Sequence, residues 1–169
     1  MKPVTICLAA FAAMSTVSAQ PSPARTATGT IGGAAITIKY SAPTVRGRQI
    51  FGEGGLVAKD RTAPVWRAGA NSATALHTEA DLDIGGLTVP KGDYTLFVNL
   101  KDPNAWELVI NKQTGQWGLT YKQDMDLGRV KMKMSKPSAI VEQLSYTIEG
   151  GEIKLEWENY RATVPVKAK

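Results

Sequence analysis

The sequence is poor in the residues that carry most familiar chemistries. Its 169 residues include one cysteine, Cys7, and one histidine, His77. A single thiol allows no intrachain disulfide and no thiolate cage for zinc. A single imidazole leaves a two-histidine metal site without its second ligand. Beyond residue 19 there is no Gly-x-Ser-x-Gly elbow and no Ser-x-x-Lys dyad, so the common serine hydrolase arrangements lack a nucleophile. No glycine-rich phosphate loop leads into a helical pattern, and no Asn-x-Ser/Thr acceptor occurs. Long apolar runs are also missing: no segment after the N-terminus approaches the roughly 20 residues that span a bilayer. Hence no catalytic residue, metal or cofactor is expected.

What is present begins with a leader. Met1 and Lys2 open a short positive region, residues 3–14 are apolar, and Val17-Ser18-Ala19 places small residues at a cleavage site. Residues 1–19 are therefore predicted to be a signal peptide cut after Ala19, and the mature chain is predicted to be exported, periplasmic or secreted, with no transmembrane segment. Cleavage removes Cys7, which lacks the Leu-Ala-Gly context of a lipoprotein signal. It also removes Lys2, lowering the formal net charge from +5 to +4. That balance mildly favours anionic partners. Lys131, Lys133 and Lys136 interleave with Met132 and Met134 as the wet side of a strand, which argues against a nucleic-acid groove. Residues 20–30, rich in Pro, Ser, Ala and Thr, read as a flexible lead-in to one domain over 31–169.

Alternation with a period of two runs through that domain. Ile36, Ile38 and Tyr40 face one way against Thr37 and Lys39; Ile153, Leu155 and Trp157 oppose Lys154, Glu156 and Glu158. Arg129 to Met134 alternates likewise, and further strands are expected over 75–84, 93–100, 106–111, 141–148 and 161–166. Gly85-Gly86, Pro90-Lys91-Gly92, Asp102-Pro103-Asn104, Gln113-Thr114-Gly115 and Gly150-Gly151 supply the reversals. The fold class is thus all-β: a single-domain antiparallel β-sandwich, jelly-roll or Ig-like, of about eight or nine strands. Trp66, Trp106, Trp157 and Phe97 are its expected core. The oligomeric state is not legible.

Two constellations stand out. His77, Glu79, Asp81 and Asp83 alternate with apolar residues and would share one strand face, about 6 to 7 Å apart in succession. A solvated face is the simpler reading, and acid–base work the sharper one. Asp124-x-Asp126-x-Gly128 starts like a calcium loop without finishing as one. The second constellation is Trp66-Arg67-Ala68-Gly69-Ala70-Asn71-Ser72-Ala73-Thr74, preceded by Arg46-Gly47-Arg48. Arg48, Trp66, Arg67, Asn71 and Thr74 combine a planar cationic fork, an indole face and small polar groups, a mixture suited to a carboxylate, a phosphate or a sugar. The same groups could equally act as internal clamps on loop carbonyls.

Tyr40-Ser41-Ala42-Pro43, Arg46-Gly47-Arg48-Gln49-Ile50-Phe51-Gly52, the Trp66 tract, Lys91-Gly92-Asp93-Tyr94-Thr95-Leu96-Phe97, Ile110-Asn111-Lys112-Gln113-Thr114-Gly115-Gln116-Trp117-Gly118 and Asp126-Leu127-Gly128-Arg129-Val130 together resemble the bacterial secreted domain-of-unknown-function family 2911. The resemblance implies an exported, all-β protein and transfers no catalytic residue. Three functions remain on these grounds. The first is a non-catalytic envelope binding module for a small anionic or sugar-like ligand, seated at Arg48, Trp66, Arg67, Asn71 and Thr74. The second is a structural or interaction protein of the envelope. The third, for which no nucleophile arrangement speaks, is a hydrolase-like enzyme using His77 with Glu79 and Asp81.

Overall fold

Alternating burial becomes paired strands almost wherever the sequence shows it. The computed structural model describes residues 21–169, and the expected signal peptide lies outside the described residues. Strands β1 (Ala24–Ile31), β2 (Ala34–Ser41), β3 (Val65–Trp66), β4 (Thr74–Thr78), β7 (Gly92–Asn99), β8 (Glu107–Asn111) and β9 (Asp126–Lys131) form one antiparallel sheet. Its spatial order is β1-β2-β4-β7-β8-β9, with β3 lying beside β7. The second sheet contains β5 (Leu82–Ile84), β6 (Leu87–Val89), β10 (Lys133–Ser135), β11 (Val141–Glu149), β12 (Glu152–Glu158) and β13 (Tyr160–Ala168). Here the order is β11-β12-β13-β5-β6, and β10 pairs with β13. The expected all-β sandwich is what the chain adopts.

Between the sheets, Ile36, Ile38, Leu76, Leu96, Leu108 and Ile110 from the first meet Leu144, Ile153, Leu155 and Val164 from the second, all buried. Each such side chain contributes about 1.5–3 kcal/mol relative to an exposed position. The β11 edge of the second sheet is covered rather than left open to another chain. Val45 N–H donates to the Glu142 carbonyl at 2.8 Å and Leu144 N–H to the Pro43 carbonyl at 2.9 Å, so residues 43–45 line one part of β11. β1 covers another part, at Gly29, where a Cβ would collide with the Ile148 carbonyl oxygen.

Three expectations need correction. Within the expected flexible lead-in, residues 24–30 belong to strand β1, which is paired along its whole length with β2 from Ala24 opposite Ser41 to Ile31 opposite Ala34. Threonine suits a half-buried pleat, and Gly32-Gly33, both at positive φ, turn the hairpin. The folded domain therefore starts with β1 rather than at residue 31.

Thirteen strands among the described residues replace the expected eight or nine, partly because two expected strands are each broken as the chain passes between sheets. Residues 75–84 become β4 in the first sheet and β5 in the second. Residues 129–134 divide into the end of β9 and the start of β10 in the same way. Leu76, Thr78, Leu82 and Ile84 all stay buried through the crossing, so the alternation hides the break.

Finally, Phe97 is buried, but outside the main core. It joins Val65 and Val109 on the other face of the first sheet, beneath the 112–125 loop, where Tyr121 packs against them. β7 is covered on both faces, which is why its run from Tyr94 to Val98 is buried without alternation.

A Gly29→Ala substitution should force β1 away from Ile148 and lower stability by about 1–3 kcal/mol. In a domain of this size the melting temperature should fall by about 3–8 °C. Unfolding monitored by circular dichroism checks this, and an unchanged midpoint would contradict the close edge contact.

Candidate binding site

β3 and β4 lie along the same side of β7, and residues 67–73 bulge out between them. Ala68 and Asn71 both take positive φ in that bulge, at 52° and 60°; asparagine tolerates this conformation, whereas alanine holds it only under outside constraint. The constraint is visible in the hydrogen bonds. The Ala68 carbonyl accepts from Thr74 Oγ1 and from the Tyr146 hydroxyl, both at 3.0 Å. The Gly69 carbonyl accepts from Trp66 Nε1 at 3.2 Å. Gly118 N–H donates to the Asn71 carbonyl at 3.0 Å, and Ala73 N–H to the Gln116 carbonyl at 3.2 Å. Burial pushes the Tyr146 phenol well above its ordinary pKa, keeping it a donor.

Of the five residues expected to bind a ligand, Trp66, Arg67, Asn71 and Thr74 come together around this bulge. Trp66 is only 2% exposed and stacks on Trp157, with ring centroids 5.8 Å apart, so its face is already occupied. Thr74 is fully buried. Arg67 Nη2 stands 3.5 Å from Asp60, and its Nε is buried without a hydrogen-bond partner. Asn71 is exposed. Arg48 belongs to a different turn, where its guanidinium donates to the Thr44 and Val45 carbonyls. The exposed indole beside the bulge is Trp117, bridged to it through Ser72 and 54% exposed. The glycines flanking it, Gly115 and Gly118, were the available sequence signal.

The acidic constellation is dispersed by the sheet crossing. His77 lies on β4, and its Nδ1 meets Asp93 of β7 at 2.8 Å. Asp81 accepts from Lys91 N–H, and Asp83 from Gly86 N–H, each at 2.8 Å, so both serve turns. Asp126 holds no calcium-loop geometry. It accepts from the Tyr121 hydroxyl at 2.7 Å, Asn111 Nδ2 at 2.8 Å and the Arg129 guanidinium, pinning the 112–125 loop. Burial first, then the bond to Asp126, push the Tyr121 phenol up to about 12. Among the described residues no group of three or more His, Cys, Asp and Glu could hold a metal ion.

A cleft of about 510 Å³ opens elsewhere, walled by Phe51, Pro64, Leu100, Lys101, Trp106 and Tyr160. None of the five expected residues lines it. Trp106 and Tyr160 stack with centroids 5.1 Å apart and planes at 19°, and Phe51 packs against both at 4.8 and 4.9 Å. Phe51 belongs to an irregular loop that is held at several points. Ile50 N–H donates to Glu158 Oε1 at 3.1 Å, and Gln49 Nε2 donates to the Phe51 and Glu53 carbonyls, each at 3.1 Å. Across the cleft, Leu100 N–H donates to the Pro64 carbonyl at 2.9 Å. The Lys101 ammonium has no carboxylate or hydrogen-bond partner among the described residues. Such a wall can seat a flat apolar body, and its lining carries one cation, Lys101, and one carboxylate, Glu53.

Two predictions follow from the bonding around the bulge and its cover. Thr74→Val and Tyr146→Phe should each cost about 1 kcal/mol, because the Ala68 carbonyl keeps one donor; the double variant should lose about 1 kcal/mol more than their sum, since it strands a buried carbonyl. Urea unfolding of the four chains checks this, and simple additivity would contradict a shared acceptor. For Tyr121, the folded state binds the phenolic proton more tightly than the unfolded chain. Its contribution is therefore whole below about pH 10 and lost as pH rises toward about 12. Tyr121→Phe should be less stable near neutral pH and show a shallower alkaline decline in the same unfolding measurement.

No curated protein and no solved structure matches the chain. A family model described as a protein of unknown function, DUF2911, matches residues 22–166. That span includes both the Trp66 tract and the 110–118 tract that bonds to it, as well as every wall of the aromatic cleft, and the chain belongs to this family.

Proposed function

We propose that the protein is an exported, non-catalytic binding module whose aromatic cleft takes a small ligand with a flat apolar body and one anionic group. The observation that carries this reading is the cleft itself: stacked Trp106 and Tyr160, Phe51 closing the angle between them, and Lys101 as an unpaired cation among the described residues. Its walls are mainly apolar, which suits an aromatic carboxylate better than a sugar whose many hydroxyls would each require a partner. The 66–74 tract acts in this reading as the clamp that fixes the bulge. The signal-peptide pattern supports export, and N-terminal sequencing of exported protein should find Gln20 first.

Thermal unfolding with 2-naphthoate and with neutral 2-naphthamide tests the site. Both should raise the midpoint, and a ligand at a hundred times its dissociation constant should add about 2.7 kcal/mol. Lys101→Ala should weaken naphthoate about threefold to fivefold, the effect of one exposed charge pair, and leave naphthamide unchanged. Equal loss for both ligands, or no midpoint shift with either, would overturn this assignment.

A further inference from the structure

The outward face of the first sheet contains a second groove, also of about 510 Å³, lined by Thr37, Lys39, His77, Asp93 and Thr114 among others. We infer that this groove binds a tetrahedral oxyanion, the phosphate or sulfate ester group of a hydroxylated ligand, and that it takes up a proton when it does so. The arrangement follows from strand register. Thr37 on β2 stands opposite His77 on β4, which stands opposite Asp93 on β7, placing hydroxyl, imidazole and carboxylate in one row. The next outward position on β4 is Ala75, opposite Lys39. Its short side chain leaves room beside the imidazole, and the lysine borders that room.

The chemistry is set by the hydrogen bond between His77 and Asp93, 2.8 Å long. A carboxylate can only accept, so Nδ1 carries the proton and Nε2 is directed away from Asp93. In the neutral ring Nε2 is an acceptor and repels an oxyanion; once protonated it becomes a donor, and an incoming anion and Asp93 each take one N–H. The charged side chains lining the groove beside the imidazole are Asp93 from β7 and Lys39 from β2, and exposed Glu79 follows two residues along from His77. A dianion between Lys39 and a protonated His77 takes a charge-assisted contact from each. Lys39 supplies the permanent charge, with no carboxylate partner among the described residues, and the Thr37 and Thr114 hydroxyls supply further donors. The site is separate from the aromatic cleft and shares no lining residue with it.

The test is an NMR titration of the chain from residue 20 with inorganic sulfate, whose charge is constant across the range, at fixed ionic strength. Binding should be tighter at about pH 5.5 than at about pH 8 by about fivefold or more, roughly one charge-assisted contact. Lys39→Ala should weaken it about fivefold at both pH values. Asp93→Asn should bring the affinity at the lower pH toward that at the higher one. Lys39, His77 and Asp93 are all exposed, so these chains should melt near the wild-type temperature. Glycerol phosphate and glucose 6-sulfate, run in parallel, separate a phosphate from a sulfate preference. Equal affinity at the two pH values, or wild-type affinity in Lys39→Ala and His77→Ala, would overturn the inference.

Discussion

Phe51 is the ring on which the cleft end of this sandwich depends. It packs against Trp66 of the first sheet at 5.7 Å and Trp157 of the second at 5.7 Å, and also against Trp106 and Tyr160. Aromatic pairs of this kind contribute about 0.5–1.5 kcal/mol each beyond the area they bury. One side chain from an irregular loop thus ties both sheets together. The loop can hold it because Glu158, at the tip of the β12–β13 hairpin, accepts from Ile50 N–H. The cleft wall is the outer layer of this same cluster, since Phe51, Trp106 and Tyr160 belong to both.

The other organising device is the clamp between two distant tracts. The bulge at 67–73 needs two non-glycine residues in the left-handed region, and it holds them because its carbonyls find donors. Those donors come from Trp66 and Thr74 within the tract, and from Tyr146 and Gly118 outside it. Gly118 can approach because it lacks a side chain: a Cβ there would lie 2.6 Å from the Asn71 carbonyl oxygen. The 112–125 loop, pinned by Tyr121, Asp126 and Arg129, then covers Phe97. In this way the central strand β7 is buried on both faces.

Much of the fold was legible because burial in a sandwich follows a period of two, and β2, β11, β12 and β13 lie close to where alternation placed them; β7 and β8 lie close to their expected spans although their burial does not alternate. The same regularity concealed the breaks. Leu82 and Ile84 continue the inward phase of Leu76 although they belong to the opposite sheet, so nothing local marks the crossing near Glu79 and Asp81. β1 is masked by its Pro-, Ser-, Ala- and Thr-rich surroundings, and the local signal for it is the Gly32-Gly33 pair that turns it onto β2. The site was less legible. Trp66 and Trp117 are both tryptophans in the shared tracts, and only the packing shows which is enclosed and which is exposed. The cleft is assembled from Phe51, Leu100, Trp106 and Tyr160, four distant points in the chain, and its aromatic residues read in sequence as ordinary core.

The most direct measurement is an amide NMR map of the protein titrated with 2-naphthoate. Shifts should concentrate on residues 51–58, 63–64, 100–106 and 160, the segments that wall the aromatic cleft. Shifts centred instead on Arg67, Asn71 and Trp117, with the cleft residues unmoved, would contradict the cleft assignment and return the ligand to the bulge.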